Sequence, residues 1–76
     1  MSSRDRHLIL LATTNERILL GEALVARLRR TVEQGSVPEA DLVVARKGLQ
    51  AAEDVLRTMK ASRAILERLV QGMRQP

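Results

Sequence analysis

From Leu42 to Met73 the chain carries an unbroken heptad. Leu42, Leu49, Leu56, Arg63 and Val70 recur at one position, and Ala45, Ala52, Met59, Leu66 and Met73 follow three residues later. Nine of these ten residues are apolar, over more than four heptads, so the segment specifies a long helix whose seam is shaped for a second helix. The pattern fixes architecture and leaves chemistry open.

The second helix is supplied by the same chain. Strong punctuation occurs at Gln34-Gly35-Ser36-Val37-Pro38. Gly35 suits the left-handed position just past a helix C-terminus, and Pro38 suits the first turn of the next helix, where its missing N–H has no acceptor to lose. Ser36 and Glu39 also read as a capping box, although a residue before proline is pushed away from helical angles and Val37 is the competing cap. The prediction is a single helical-hairpin domain over 1–76, with helix 1 at about 4–34, a turn at 35–37 and helix 2 at about 38–73.

In helix 1, Leu11, Ile18, Val25 and Val32 recur every seven residues, with Thr14, Gly21 and Leu28 three residues on and Leu10 and Leu24 alongside. Leu8, Ile9, Leu19, Leu20 and Ala23 fall outside that stripe, and helix 2 has its own second line at Val44, Ala51, Val55, Ile65 and Leu69. A helix with two apolar faces needs two partners. The hairpin is therefore expected to dimerise into an all-α four-helix bundle, because stripes left exposed would form an association patch. The residues expected to carry helix pairing and the dimer interface are Leu8, Leu11, Ile18, Leu19, Val25, Leu28, Leu49, Leu56, Met59, Arg63 and Leu66.

Length agrees with this. Helices of about 45 and 52 Å are too elongated for two of them to make a globule. A 76-residue chain buries only about 60% of its unfolded surface, and this one has no Cys to staple it and too few ligands for a structural zinc. Oligomerisation is the remaining device. Folding back at Gly35 places residues whose numbers sum to about 72 opposite each other, so Gly21 is expected to face Ala51 and Ala52. The sequence Thr13-Thr14-Asn15-Glu16 is a second possible capping box, and a break there would give a three-helix protein; the heptad phase kept from Leu11 to Ile18 favours one continuous helix.

Composition narrows function mainly by exclusion. With no Phe, Tyr or Trp there is no platform on which unpaired bases could stack. The apolar run Leu8–Ala12 is five residues, against about 7 to 15 for a secretory signal and about 20 for a membrane span, so a cytoplasmic chain with no membrane role is expected. The net charge is +4, and Arg27, Arg29, Arg30, Arg46 and Lys47 gather toward the turn end, where a doubled cluster in a dimer could touch phosphates or an acidic protein. Glu33, Glu39 and Asp41 lie among them, and arginines near the end of helix 1 with acids at the start of helix 2 also answer the helix dipoles, which makes nucleic acid an unfavoured partner.

Individual residues add little chemistry. One histidine, His7, supplies neither a metal site nor a triad; no phosphate-loop, zinc-protease or nucleophile-elbow spacing occurs, and Glu53 and Asp54 adjoin on a helix and so diverge. No enzyme, cofactor or metal is expected. Arg63 is the exception in the seam: either it fixes register and oligomer state, or it lies near a splayed end with its stem packed and its head in water, Glu67 being its nearest partner. Arg17 borders the stripe of helix 1 within reach of an ion pair with Asp54.

Arg6-His7-Leu8 followed by Ala12, then Arg17-Ile18, Arg27-Leu28-Arg29, Met59 and Ser62-Arg63-Ala64-Ile65-Leu66, resemble a family of short bacterial helical-hairpin proteins. In those a histidine recurs near the start of helix 1 and an arginine followed by an aliphatic pair near the end of helix 2. The resemblance spans most of the chain and implies the hairpin; the family has no established activity, so it implies no site. In size and shape the chain is also similar to the small helical co-chaperones of bacterial secretion-needle subunits, which would give its spare apolar face to another helical protein.

Overall fold

A computed structural model describes residues 2–35 and 37–73, and they form two helices packed side by side, α1 (Ser3–Gln34) and α2 (Glu39–Gly72). Ser2 caps α1, its hydroxyl accepting from the Asp5 N–H at 3.1 Å, and Asp5 adds negative charge to the first turn. The helix runs unbroken through Thr13 and Thr14. Their hydroxyls donate to the Ile9 and Leu10 carbonyls at 3.1 and 2.8 Å, so groups that could have opened a new cap are satisfied inside the helix. The three-helix alternative is thereby excluded.

Gly35 ends α1 in the left-handed conformation, at φ 58 and ψ 26. Pro38 corrects one expectation: it is the N-cap of α2, at φ −55 and ψ 152, and not a residue of its first turn. Its carbonyl accepts from the Leu42 N–H at 2.9 Å, and among the described residues no side chain caps this N-terminus. The expected capping box falls on Ser36, which lies outside the described residues. Glu39 and Asp41 occupy the first turn of α2, as the dipole favours, whereas the last turn of α1 holds no basic residue. Arg27, Arg29 and Arg30 stop short of it, so the helix dipole does not account for them.

The contact between the helices follows both heptads. Along α1 the less exposed side chains include Leu11, Thr14, Ile18, Gly21, Val25, Leu28 and Val32; along α2 they include every seam residue from Leu42 to Val70, at alternating spacings of three and four. Only Ile18, Val25 and Leu56 are buried among the described residues, with Leu49, Ala52 and Met59 packed on them.

Register departs from the expected sum of 72. Gly21 faces Leu56 and Met59, the ion pairs Arg29–Glu53 and Glu22–Lys60 each sum to 82, and Asn15–Arg63 sums to 78. Side chains on a helix lean toward its N-terminus, and in an antiparallel pair the two leans are opposed, so contacting residues lie further along the chain than the backbone positions that are level with each other. Arg17 lines a hollow shared with Thr58 and Ser62, while Asp54 binds Arg57 and Gln50 on its own helix at 3.2 and 3.1 Å.

Candidate association surface

Each helix shows the other a seam bordered by two flanks, and the two flanks differ. On one side lie Asn15, Glu22 and Arg29 of α1 and Arg46, Glu53, Lys60 and Glu67 of α2, each set at seven-residue intervals. Opposite charges meet across the seam there: Arg29 Nη2 to Glu53 Oε2 at 3.4 Å and Lys60 Nζ to Glu22 Oε2 at 3.7 Å. Arg63 joins the same side, with its Nε 3.5 Å from Glu67 Oε1, the partner expected from sequence, and its Nη1 3.4 Å from Asn15 Oδ1 across the seam. This edge is closed by polar contacts.

Among the described residues the opposite edge has no polar contact across the seam. It presents Leu10, Leu20 and Leu24 of α1 and Val44, Val55, Ile65 and Leu69 of α2, all between 43% and 71% exposed. Between them runs a trough in two parts. The half nearer the turn, about 320 Å³, is lined by Gly21, Leu24, Gly48, Ala51, Ala52, Val55 and Met59; the half nearer the open end, about 430 Å³, by Leu10, Thr14, Arg17, Thr58, Met59, Ser62, Ile65 and Leu66. Met59 lines both, so the two halves adjoin at its side chain. The Thr14 and Thr58 hydroxyls are taken up by the Leu10 and Asp54 carbonyls, which leaves Arg17 as the one charged side chain lining the trough.

The residues expected to carry pairing separate into groups on this geometry. Leu11, Ile18, Val25, Leu28, Leu49, Leu56, Met59, Arg63 and Leu66 lie in the seam. Leu8 sits at its polar edge in a groove with Arg4 and Glu67, and Leu19, 68% exposed, stands on the flank that carries Glu22. The trough residues Leu10, Leu24, Val55, Ile65 and Leu69 were absent from that set, although Val55, Ile65 and Leu69 belong to the second apolar line of helix 2; the signal that singles them out is the contrast with the wholly charged series Arg46, Glu53, Lys60 and Glu67 on the other flank.

Arg27, Arg29, Arg30, Arg46 and Lys47 are all exposed, and Arg29 is held by Glu53. His7 Nδ1 lies 2.6 Å from the Ser3 carbonyl within its own helix. Among the described residues no three His, Asp or Glu side chains gather as metal ligands would, and no helix is long and apolar enough to cross a membrane. Comparison with protein families, with curated proteins and with solved structures found no match.

Proposed function

We propose that this chain is a non-enzymatic association module: an antiparallel coiled-coil hairpin that pairs with a second copy through its apolar edge to form a four-helix bundle. The observation that carries this reading is the sidedness of the hairpin, with one edge closed by ion pairs and the other an apolar trough running along it. Surface area supports it. A compact chain of 8.5 kDa exposes about 4,650 Å², while this one exposes 5807 Å². Its radius of gyration is 17.1 Å, against about 11 Å for a compact chain of the same length. The excess, on the order of 1,000 Å², is the size of one partner's share of a stable interface.

A second copy suits the shape of the trough. The hairpin measures 59 × 15 × 14 Å, and an occupant able to cover apolar residues from Leu10 to Val44 must itself be long, thin and apolar along one side. This chain has that form. Sedimentation equilibrium at micromolar concentration tests the proposal: a species of twice 8.5 kDa is expected, and a well-folded monomer would overturn it. A chain that aggregates alone and becomes monodisperse only with a foreign helical protein would instead assign the trough to an adaptor role.

A further inference from the structure

Resting on that self-association, we infer that four exposed charges bordering the apolar edge, Glu16 and Arg30 of α1 and Asp54 and Arg68 of α2, form a self-complementary rim that closes the dimer with ion pairs between the hairpins. Two series run along the outer border of that edge: Glu16, Ala23 and Arg30 on α1, and Asp54, Ala61 and Arg68 on α2, each at seven-residue intervals and all exposed. Leu20 stands on the trough side between Glu16 and Ala23, four and three residues away, and Ile65 stands in the same way between Ala61 and Arg68; these are the spacings at which helical side chains are neighbours. Among the described residues Glu16, Arg30 and Arg68 make no ion pair, and Asp54 is held only on its own helix, by Arg57 and Gln50.

The signs alternate around the four corners. Toward the open end α1 carries the negative Glu16 and α2 the positive Arg68; toward the turn α1 carries the positive Arg30 and α2 the negative Asp54. A second copy stacked on this edge by a two-fold axis meets opposite charge at every corner, whichever way the axis runs. With the axis along the hairpin, levels are kept and helices exchanged, so Glu16 meets the partner's Arg68 and Arg30 meets the partner's Asp54. The residue numbers of each such pair sum to 84, against 82 for the ion pairs Arg29–Glu53 and Glu22–Lys60 across the hairpin's own seam, so symmetry imposes the register that the charges need. With the axis across the hairpin, helices are kept and levels exchanged, so Glu16 meets the partner's Arg30 and Asp54 meets the partner's Arg68. By the same counting Lys47, which continues the α2 series toward the turn, faces no helical residue in either arrangement, and Arg27, one turn before Arg30, adds to the positive corner. An unrelated apolar helix would satisfy these corners only by carrying the same alternation, and like charges set face to face are penalised, so the rim selects a copy of this chain.

Charge reversal tests the rim, with sedimentation equilibrium as the readout and circular dichroism to verify that each variant keeps its helices. Glu16→Arg should leave the hairpin folded, because Glu16 is exposed, and should weaken the dimer about 10-fold at low salt and less at high salt. A second reversal restores affinity only when it falls on the residue that faces position 16. Rescue by Arg68→Glu, with further weakening by Arg30→Glu, places like ends of the hairpins together; the converse result places the turn of each at the open end of the other. Either rescue supports the rim. Unchanged affinity in Glu16→Arg, or rescue by neither second reversal, overturns it while leaving self-association intact, whereas a monomeric parent chain removes self-association and the rim with it.

Discussion

Arg63 reaches across the helix seam to Asn15, its Nη1 3.4 Å from the Asn15 Oδ1, while its Nε stays 3.5 Å from Glu67 on its own helix. The arginine stem lies at a position that every other heptad fills with an aliphatic side chain, and the head exits onto the charged edge. Its stem is packed in the seam and its head makes polar contacts on both helices. Replacing it with Leu should raise the thermal midpoint, adding on the order of 1 kcal/mol from one more buried aliphatic side chain. Chemical unfolding followed by circular dichroism checks the sign. An unchanged or lowered midpoint would show that the contacts with Asn15 and Glu67 outweigh apolar packing there.

Ile18 is 1% exposed and sits at the centre of the smallest of cores. Ile18→Ala should cost roughly 2 to 5 kcal/mol, comparable to the whole of what a small single core supplies, about 3 to 5 kcal/mol. Loss of most helical signal at 25 °C is expected. Leu19→Ala, one residue away and 68% exposed, should leave that signal within about 0.5 kcal/mol of the parent.

Ion pairs on the charged edge should contribute little. Arg29 and Glu53 are 51% and 37% exposed, so Glu53→Gln is expected to change stability by less than about 0.5 kcal/mol, and less still at high salt. A loss above about 1 kcal/mol in a double-mutant cycle would show that the edge does more than stay polar.

Leu20→Glu and Val55→Lys each place a charge on the apolar edge without touching the buried seam. Hairpin helicity should survive in both, and dimer affinity should fall by about 100-fold or more, since burying an unpaired charge costs several kcal/mol. Arg17→Leu removes the one charge lining the trough and should tighten association. Sedimentation equilibrium on the three variants separates these outcomes, and unchanged affinity in all of them would move the interface elsewhere.

Gly48→Ala should stabilise the hairpin itself by about 1 kcal/mol, because glycine weakens a helix interior and a Cβ at this position meets nothing within 4 Å. At Gly21 the added Cβ would lie 3.2 Å from Met59 Cε and 3.3 Å from Leu56 Cδ1. The buried Leu56 has little freedom to give way there, so Gly21→Ala should gain less than Gly48→Ala. Thermal melts of the two variants give the ranking.

The hairpin was legible in the sequence because two signals agreed: unbroken heptads from Leu11 and from Leu42, and Gly35 followed by Pro38. Both seams lie where the heptads put them. Register was misjudged, since counting back from the turn locates backbones and not the leaning side chains that touch; Gly21 therefore meets Leu56 and Met59 instead of Ala51 and Ala52. The trough was half legible. Its apolar lines could be read from each helix separately, but which lines share one edge depends on how two helices face each other, and periodicity within either helix is silent on that.

Gly35 also sets the order in which the molecule can assemble. Once its left-handed turn forms, Arg29 and Glu53 are brought together across a separation of 24 residues, Asn15 and Arg63 only across 48, and the ends of the helices across more still. Each contact shortens the loop that the next must close, so the chain should zip from the turn toward its termini, with the last turns closing last and opening first. Amide exchange would then slow steadily from the open end toward Val25 and Leu56, making the hairpin a graded structure whose most labile stretch carries Leu10 and Leu69.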